Sequence, residues 1–323
     1  MEERKFLDAT LGVTALAWRE EALQGLAGLV VPDAIVGRKR ALLRADINEQ
    51  WGRWFVESLA DPRRYAQGPA SSYAHVFKDV YAAIESRFHD TPQEERQELA
   101  SKAAKVVYSQ VEFFRKRGRK REAISRSDKL GLLDLAAPRP ACWICGDRFS
   151  DHAIGVFIGE EVGPSPTPPL VDILAPRGLV ARDLSIDIDH IVAHAKGGDN
   201  DDNLALACGW CNRHKRDRGS IYEVASEPLL AAPNDLGLGS LPRAFWTVRH
   251  LALTQRCEHH SGCKATTRDT RLTVAPINSA GSMNPGNLRV TCYEHDPLAD
   301  IRLQSPDRVT KLWSIAKGLR PDF

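Results

Sequence analysis

Two Cys-x-x-Cys pairs constrain this 323-residue chain more than any other feature. Cys142 and Cys145 lie in Pro140-Ala-Cys-Trp-Ile-Cys-Gly, and Cys208 and Cys211 lie in Cys-Gly-Trp-Cys. Zinc prefers four soft ligands in a tetrahedron, and two such knuckles supply them. Buried free cysteines would have no reason to come in matched pairs. The spacing predicts one structural zinc ion pinning the two ends of a small domain.

The residues between the knuckles carry chemistry. Leu184-Ser-Ile-Asp-Ile-Asp alternates apolar and polar and reads as a short strand ending in Asp189 and His190. Gly197-Gly198 and the Asp/Asn run to Asn203 supply turn residues. Leu204 to Cys208 begins a return strand, and Asn212 to Arg218 has the polarity of one exposed face of a short helix. The expected order is strand, loop, strand, helix.

Taken together, Asp189-His190-Ile, Gly197-Gly198, Asn203-Leu and Cys208-x-x-Cys211-Asn212-x-x-Lys215 resemble the HNH endonucleases, of the ββα-metal fold. The resemblance covers roughly residues 142 to 218. It implies that His190 is the general base, that Asp189 and Asn212 are ligands of a catalytic divalent ion (magnesium or manganese), and that Asn203 fixes the loop carrying the base. Asn212 stands where the family's last histidine often stands. Two departures are the long segment between Cys145 and Asp187, and Ala193-His194 where family members often show proline.

Elementary chemistry is consistent with these roles. Phosphodiester cleavage needs an activated water and relief of negative charge. A neutral histidine can take the water's proton near neutral pH. A hard divalent ion held by one carboxylate and one amide oxygen keeps most of its positions open to phosphate and water. Asn203 can donate its amide to a backbone carbonyl and orient the loop. His194 and His214 could each touch phosphate or metal, but are read first as solvated loop and helix residues.

Composition bounds the rest. The chain is 43% hydrophobic and 27% charged, ordinary for a globular protein, and its length suggests two or three domains. The formal net charge is only +2, so any nucleic-acid contact must use local patches. No early apolar run resembles a signal peptide and none reaches transmembrane length, so no membrane partner is expected. All seven cysteines can be assigned as metal ligands, which suits a reducing cytoplasm better than a disulfide framework.

Residues 1–135 read as a helical domain. Apolar residues recur at helical spacing from Phe6 to Val30, from Asp33 to about Leu59, from Tyr73 to Phe88, and from a Thr91-Pro92 start to about Arg117. Trp51, Trp54, Phe55 and Leu59 form an apolar stripe expected to be core. The run Arg115, Lys116, Arg117, Arg119, Lys120 and Arg121, with Lys215, is the expected phosphate-contacting set. Residues 136–226 are the nuclease domain, with an insert at 146–183 whose Pro-rich stretch, 163–169, is expected on the surface. Residues 227–250 read as a linker.

A second zinc module is expected over 251–323. Asn287-Leu-Arg-Val-Thr-Cys292-Tyr-Glu-His295 repeats the order of Asn203-Leu-Ala-Leu-Ala-Cys208-Gly-Trp-Cys211. Cys257, Cys263, Cys292 and His295 are its expected ligands, with His259 or His260 as substitutes for one of them. Counting back thirteen residues from Asn287 lands on Val274, where there is no acid–histidine pair. The module is therefore read as degenerate, with Asp296 in the place of Asn212 and Arg289 and Arg302 available to phosphate.

The fold class expected is α+β: a helical domain, a zinc-stabilised ββα-metal domain of treble-clef type, and a degenerate zinc module. Three cofactor ions are implied, two structural zinc ions and one catalytic divalent metal. The leading function is a DNA endonuclease, with RNA left open, in phage defence, restriction or a mobile element. That biological setting rests on the resemblance alone. The rival is a non-catalytic zinc module that binds nucleic acid or scaffolds a partner. A third reading has the helical region dock an ATPase or sensor subunit that gates cutting.

Overall fold

The computed structural model describes residues 2–11, 24, 26–67, 72–116, 124–191, 203–231 and 235–318. The N-terminal part is helical: α1 (Glu2–Leu11), α2 (Asp33–Val36), α3 (Arg40–Leu59), α4 (Pro62–Gln67), α5 (Tyr73–Arg87), α6 (Gln93–Lys116) and α7 (Arg126–Leu135). Ser72 caps α5 by accepting from the His75 N–H. Val76, Val80 and Ile84 then recur every four residues along α5 and are fully buried. Facing them on α6 are Ala100, Ala103, Ala104, Val107 and Val111, and the small alanines let the two helices approach closely. Each of the three aliphatic side chains on α5 contributes about 1.5–3 kcal/mol by leaving water.

The stripe on α3 divides. Leu59 is in this core and Phe55 packs against it, but Trp51 and Trp54 are 69% and 60% exposed, contrary to their expected burial. The cause lies at the other end of the helix, which docks elsewhere. Leu42 enters a core with Trp246 and Trp313. Asp46, 2% exposed, accepts from the Ile221 N–H at 2.8 Å and from Arg249 Nη2 at 2.7 Å. α3 is thus a strut between the helical bundle and the cysteine-rich half, and its middle turns reach neither core.

The cysteine-rich half comprises α8 (Asp151–Ile158), β1 (Val171–Asp172), β2 (Ile186–His190), β3 (Leu204–Cys208), α9 (Gly209–Lys215), β4 (Leu229–Leu230), β5 (Ser240–Leu241), α10 (Ala244–Thr254), β6 (Leu272–Pro276), β7 (Leu288–Cys292), α11 (Ala299–Arg302), β8 (Leu303–Gln304) and α12 (Pro306–Gly318). The insert at 146–183 is more than surface. Val171, Ile173 and Leu174 are fully buried, and β1 pairs antiparallel with β8 near the end of the chain. Its Pro-rich stretch is mostly exposed, without helix or strand. The expected linker, residues 227–250, also differs: β4 pairs with β5, and α10 begins at Ala244. α10 is among the most buried helices, with Phe245, Trp246, Val248 and Leu251 each 3% exposed or less. Its row of apolar residues is almost continuous, which is the pattern of a fully buried helix rather than a connection.

Two hairpins share one fold. β2 and β3 pair antiparallel from Ile186↔Cys208 to His190↔Leu204, and β6 and β7 pair from Leu272↔Cys292 to Pro276↔Leu288. Past each hairpin the same bond recurs: Ile191 N–H to the Asn203 carbonyl at 2.8 Å, and Ile277 N–H to the Asn287 carbonyl at 2.7 Å. Each first knuckle is tied to its hairpin in the same way, Trp143 N–H to Leu206 O at 2.9 Å and Glu258 N–H to Val290 O at 2.8 Å. The two modules share a core that includes Cys142, Trp210, Val248, Leu272 and Val290. Gly146 marks where they touch. Its φ is +70°, and a Cβ there would press into the Thr267 backbone, which only glycine avoids.

Candidate active site

β2, β3 and α9 build the site. Cys208 ends β3 and caps α9, its Sγ accepting from the Cys211 N–H at 3.4 Å. The Gly209 N–H donates to Ser185 O at 3.0 Å, and a Cβ on Gly209 would collide with the Arg182 carbonyl oxygen. Glycine at this position therefore lets α9 start tight against the entry to β2, so that Asn212 and Lys215 face the strand.

Strand alternation puts Asp187 and Asp189 on one face and His190 on the other. Asn212 Nδ2 donates to Asp187 Oδ2 at 3.0 Å, which leaves the Asn212 side-chain oxygen turned away from that carboxylate. Asp189 is 4% exposed and both its oxygens are engaged: Oδ2 accepts from Trp143 Nε1 at 3.0 Å, and Oδ1 from Lys215 Nζ at 2.9 Å. Burial pushes the Asp189 carboxyl above the usual carboxylate range, against the opposing pull of Lys215 and Trp143. Lys215 Nζ also donates to the His190 carbonyl at 2.5 Å. His190 is half-buried at the end of β2, and Asn203, 9% exposed, lies just before β3. Its carbonyl holds the Ile191 N–H.

This placement changes one reading. Lys215, expected to touch phosphate, is instead buried against Asp189 and the His190 carbonyl, because an unpaired buried Asp189 would be costly. Two functional neighbours carry no motif of their own in the sequence, Asp187 and Trp143. The two-residue alternation of β2 signals the first. The second follows from an indole N–H that needs a partner once buried.

Both cysteine groups assemble. The ligand atoms of Cys142, Cys145, Cys208 and Cys211 lie within 4.8 Å of one another, and all four residues are buried. Four sulfurs this close suit a tetrahedral ion, so the group could hold zinc. The atoms of Cys257, Cys263, Cys292 and His295 meet the same limit, with His295 Nδ1 3.2 Å from Cys292 Sγ. His259, the alternative ligand, stacks on the His295 ring at 4.0 Å.

The second module lacks the catalytic pattern. Its register puts Thr273, Ala275 and Pro276 where Asp187, Asp189 and His190 stand in the first. The loop between its strands is two residues shorter, so Pro276, not Val274, is the counterpart of His190. Asp296, expected in the place of the metal ligand Asn212, and Arg302, expected to be available to phosphate, are instead buried in one ion-pair network. Arg302 donates to Asp296, to both oxygens of Asp172 at 2.8 and 2.9 Å, and to Thr273 Oγ1. Removing these three charges, Arg302, Asp296 and Asp172, from water is tolerated because each finds several partners.

Of the basic run, Arg115 is half-buried, ion-paired with Glu112 at 2.8 Å and bonded to the Tyr65 carbonyl. Lys116 ends α6, and Arg117, Arg119, Lys120 and Arg121 lie outside the described residues, as do His194 and Gly197-Gly198. No described helix is long and apolar enough to cross a membrane.

Residues 180–218 match the HNH endonuclease family model. No curated protein matches the chain, and no solved structure does. The matched stretch is the unit just described, from the turn before β2 to the end of α9. The chain therefore carries an HNH endonuclease domain, and that domain implies a nucleic-acid substrate.

Proposed function

We propose that the protein is a metal-dependent endonuclease that hydrolyses phosphodiester bonds in DNA at the end of β2. The observation that carries this reading is the meeting of three elements: His190 closing β2, Asn203 opening β3, and Asn212 on α9 beside the strand.

Asp189 and Asn212 are the proposed protein ligands of a catalytic magnesium or manganese ion. The residues fit a hard cation. Asp187 takes the Asn212 amide nitrogen, so the amide oxygen remains for a metal. Asp189 is buried with both oxygens engaged, so an ion there would take the place of the cation it now holds, the Lys215 ammonium at 2.9 Å. When bound, the ion would neutralise charge on the scissile phosphate. His190 takes the proton of the attacking water on its ring. Lys215, bonded to the His190 carbonyl, keeps the strand end from drifting, and Asn203 anchors the loop beyond. Asp187 acts through Asn212 and is a positioning residue.

The two cysteine groups are proposed to be structural zinc sites. The C-terminal module is proposed to be a non-catalytic copy, because a proline replaces the base and an alanine replaces the carboxylate. A setting in phage defence, restriction or a mobile element, and a gating partner on the helical part, rest on the domain type alone. Incubating purified protein with supercoiled plasmid, with and without added magnesium or manganese, tests the function. Metal-dependent nicked or linear products are expected, and an uncut plasmid under all conditions would contradict it.

A further inference from the structure

Beyond the His190 site, α9 presents a second face. Asn212 and Lys215 turn to β2, while Arg213, His214 and Arg216 line a cavity of about 590 Å³ walled by α10, α12 and the turn at Ile221–Glu223. That volume is within the range of small-ligand sites, roughly 300–1,000 Å³. Four arginines line it against two carboxylates, Asp183 and Glu223, a net of +2.

Most of these charges are already engaged. Arg213 pairs with Asp183 at 2.6 Å, Arg243 donates to Glu227 O at 2.7 Å, and Arg216 donates to Arg213 O at 3.2 Å. Arg218 is the exception. Its guanidinium is half-buried, 5.5 Å over the Phe245 ring, and its side chain has no hydrogen bond or ion pair among the described residues. Burial first, and then the neighbouring Arg216, push its pKa down, and the Glu223 and Asp217 charges oppose that shift without forming an ion pair with it. An arginine in this state is matched by an anion that can take two parallel N–H bonds, and phosphate has that geometry.

The walls narrow the ligand further. Phe245 and Trp313 form an apolar floor and Tyr222 stands 53% exposed at the edge. Arginine planes and aromatic rings are surfaces on which bases stack. A duplex cannot enter a concavity of this size, whereas one nucleotide can. From these observations we infer that the cavity beside α9 is a nucleotide-binding site, with Arg218 taking the phosphate and the aromatic wall taking the base. The nucleotide comes either free or as one unit of an unpaired strand. The site is separate from His190 and does not depend on cleavage there.

Calorimetric titration of the His190→Ala protein, which leaves strands intact under the proposed function, separates the sources. Adenosine monophosphate, a short oligothymidylate and inorganic phosphate are the probes. Binding of the monophosphate that weakens by about tenfold or more in a second protein also carrying Arg218→Ala supports a free nucleotide. Binding of the oligothymidylate alone, with the same loss, supports a strand unit. Arg218→Lys should retain more affinity than Arg218→Ala, since it keeps the charge. Zinc content and circular dichroism confirm that each variant is folded, and Tyr222→Ala supplies an independent change at the edge, expected to weaken the nucleotide but not inorganic phosphate. The inference is overturned if no probe binds, if Arg218→Ala leaves affinity unchanged, or if inorganic phosphate binds as tightly as the nucleotide. Because plasmid cutting is read in the unsubstituted protein, failure here leaves the cleavage result standing, and the reverse also holds.

Discussion

Pro276 occupies in the second hairpin the position of His190 in the first: each lies opposite the leucine that follows an asparagine, Leu288 and Leu204 respectively. The same backbone frame thus carries a titratable ring in one module and an inert one in the other. Asp296 is expected to matter only for stability. Asp296→Ala leaves the Arg302 guanidinium short of a partner in a buried network, which costs about 3–5 kcal/mol when one member of a buried pair is removed. Thermal unfolding should fall by several degrees, while cleavage per folded molecule should stay close to that of the parent protein. Loss of cutting without loss of stability would assign Asp296 to the reaction.

Each chain is expected to hold two zinc ions apart from the catalytic metal, because two sets of four ligands assemble. Structural zinc contributes on the order of 10–16 kcal/mol to folding in small zinc-finger peptides, so chelation should unfold the modules as well as silence them. Elemental analysis should read two zinc per chain, one in Cys292→Ser and one in Cys211→Ser if those proteins can be isolated. One or none in the parent protein would remove a site.

His250 should make stability depend on pH. It is 1% exposed on α10, its Nδ1 lies 3.4 Å from Lys39 Nζ, and Glu258 is on the far side of that ammonium. Burial first, and then the Lys39 charge, holds the His250 imidazole well below its ordinary value of 6.5. The unfolded chain therefore binds a proton near pH 6.5 that the folded chain refuses. The stability this contributes is present above 6.5 and is lost as pH falls towards the lower folded value, with a slope of up to about 1.4 kcal/mol per pH unit. Denaturant unfolding from pH 7 to 5 should show a shallower fall in His250→Gln than in the parent protein. Identical slopes would mean that the histidine accepts its proton in the fold.

The basic run from Arg115 to Arg121 should set the salt dependence of DNA binding. Arg115 is already paired within the helical bundle, so the contribution is assigned to Arg117, Arg119, Lys120 and Arg121. Neutralising those four should flatten the logarithmic salt slope of duplex binding by about 0.9 for each phosphate that no longer meets a cation. An unchanged slope would make the run a solvated helix end.

Both cysteine clusters were legible in the sequence, the first because two Cys-x-x-Cys pairs match by spacing and the second because Asn287 to His295 repeats the order of Asn203 to Cys211. The hairpin and helix of the site were legible for a similar reason: alternation in 184–189 and the Cys208-Gly-Trp-Cys211 corner each describe local geometry. What failed were statements about burial, which depends on partners far along the chain. Lys215 reads as a surface cation until Asp189 and the His190 carbonyl are seen beside it. Arg302 reads likewise until Asp172, 130 residues away, closes on it. Trp51 and Trp54 sit in a stripe as apolar as any core helix, but α3 bridges two cores and leaves its middle uncovered. The 227–250 stretch looks like a connection because of its Gly and Pro residues, which end before α10 begins.

The most direct measurement is plasmid cleavage by His190→Ala, Asp189→Ala and Asn212→Ala over a manganese titration. Loss of a general base costs roughly 10²–10⁴-fold in rate and cannot be recovered with metal. The account predicts that His190→Ala stays inactive at every manganese concentration while keeping its fold and zinc, and that excess manganese partly restores Asp189→Ala and Asn212→Ala. A His190→Ala protein that cuts at the parent rate would contradict it.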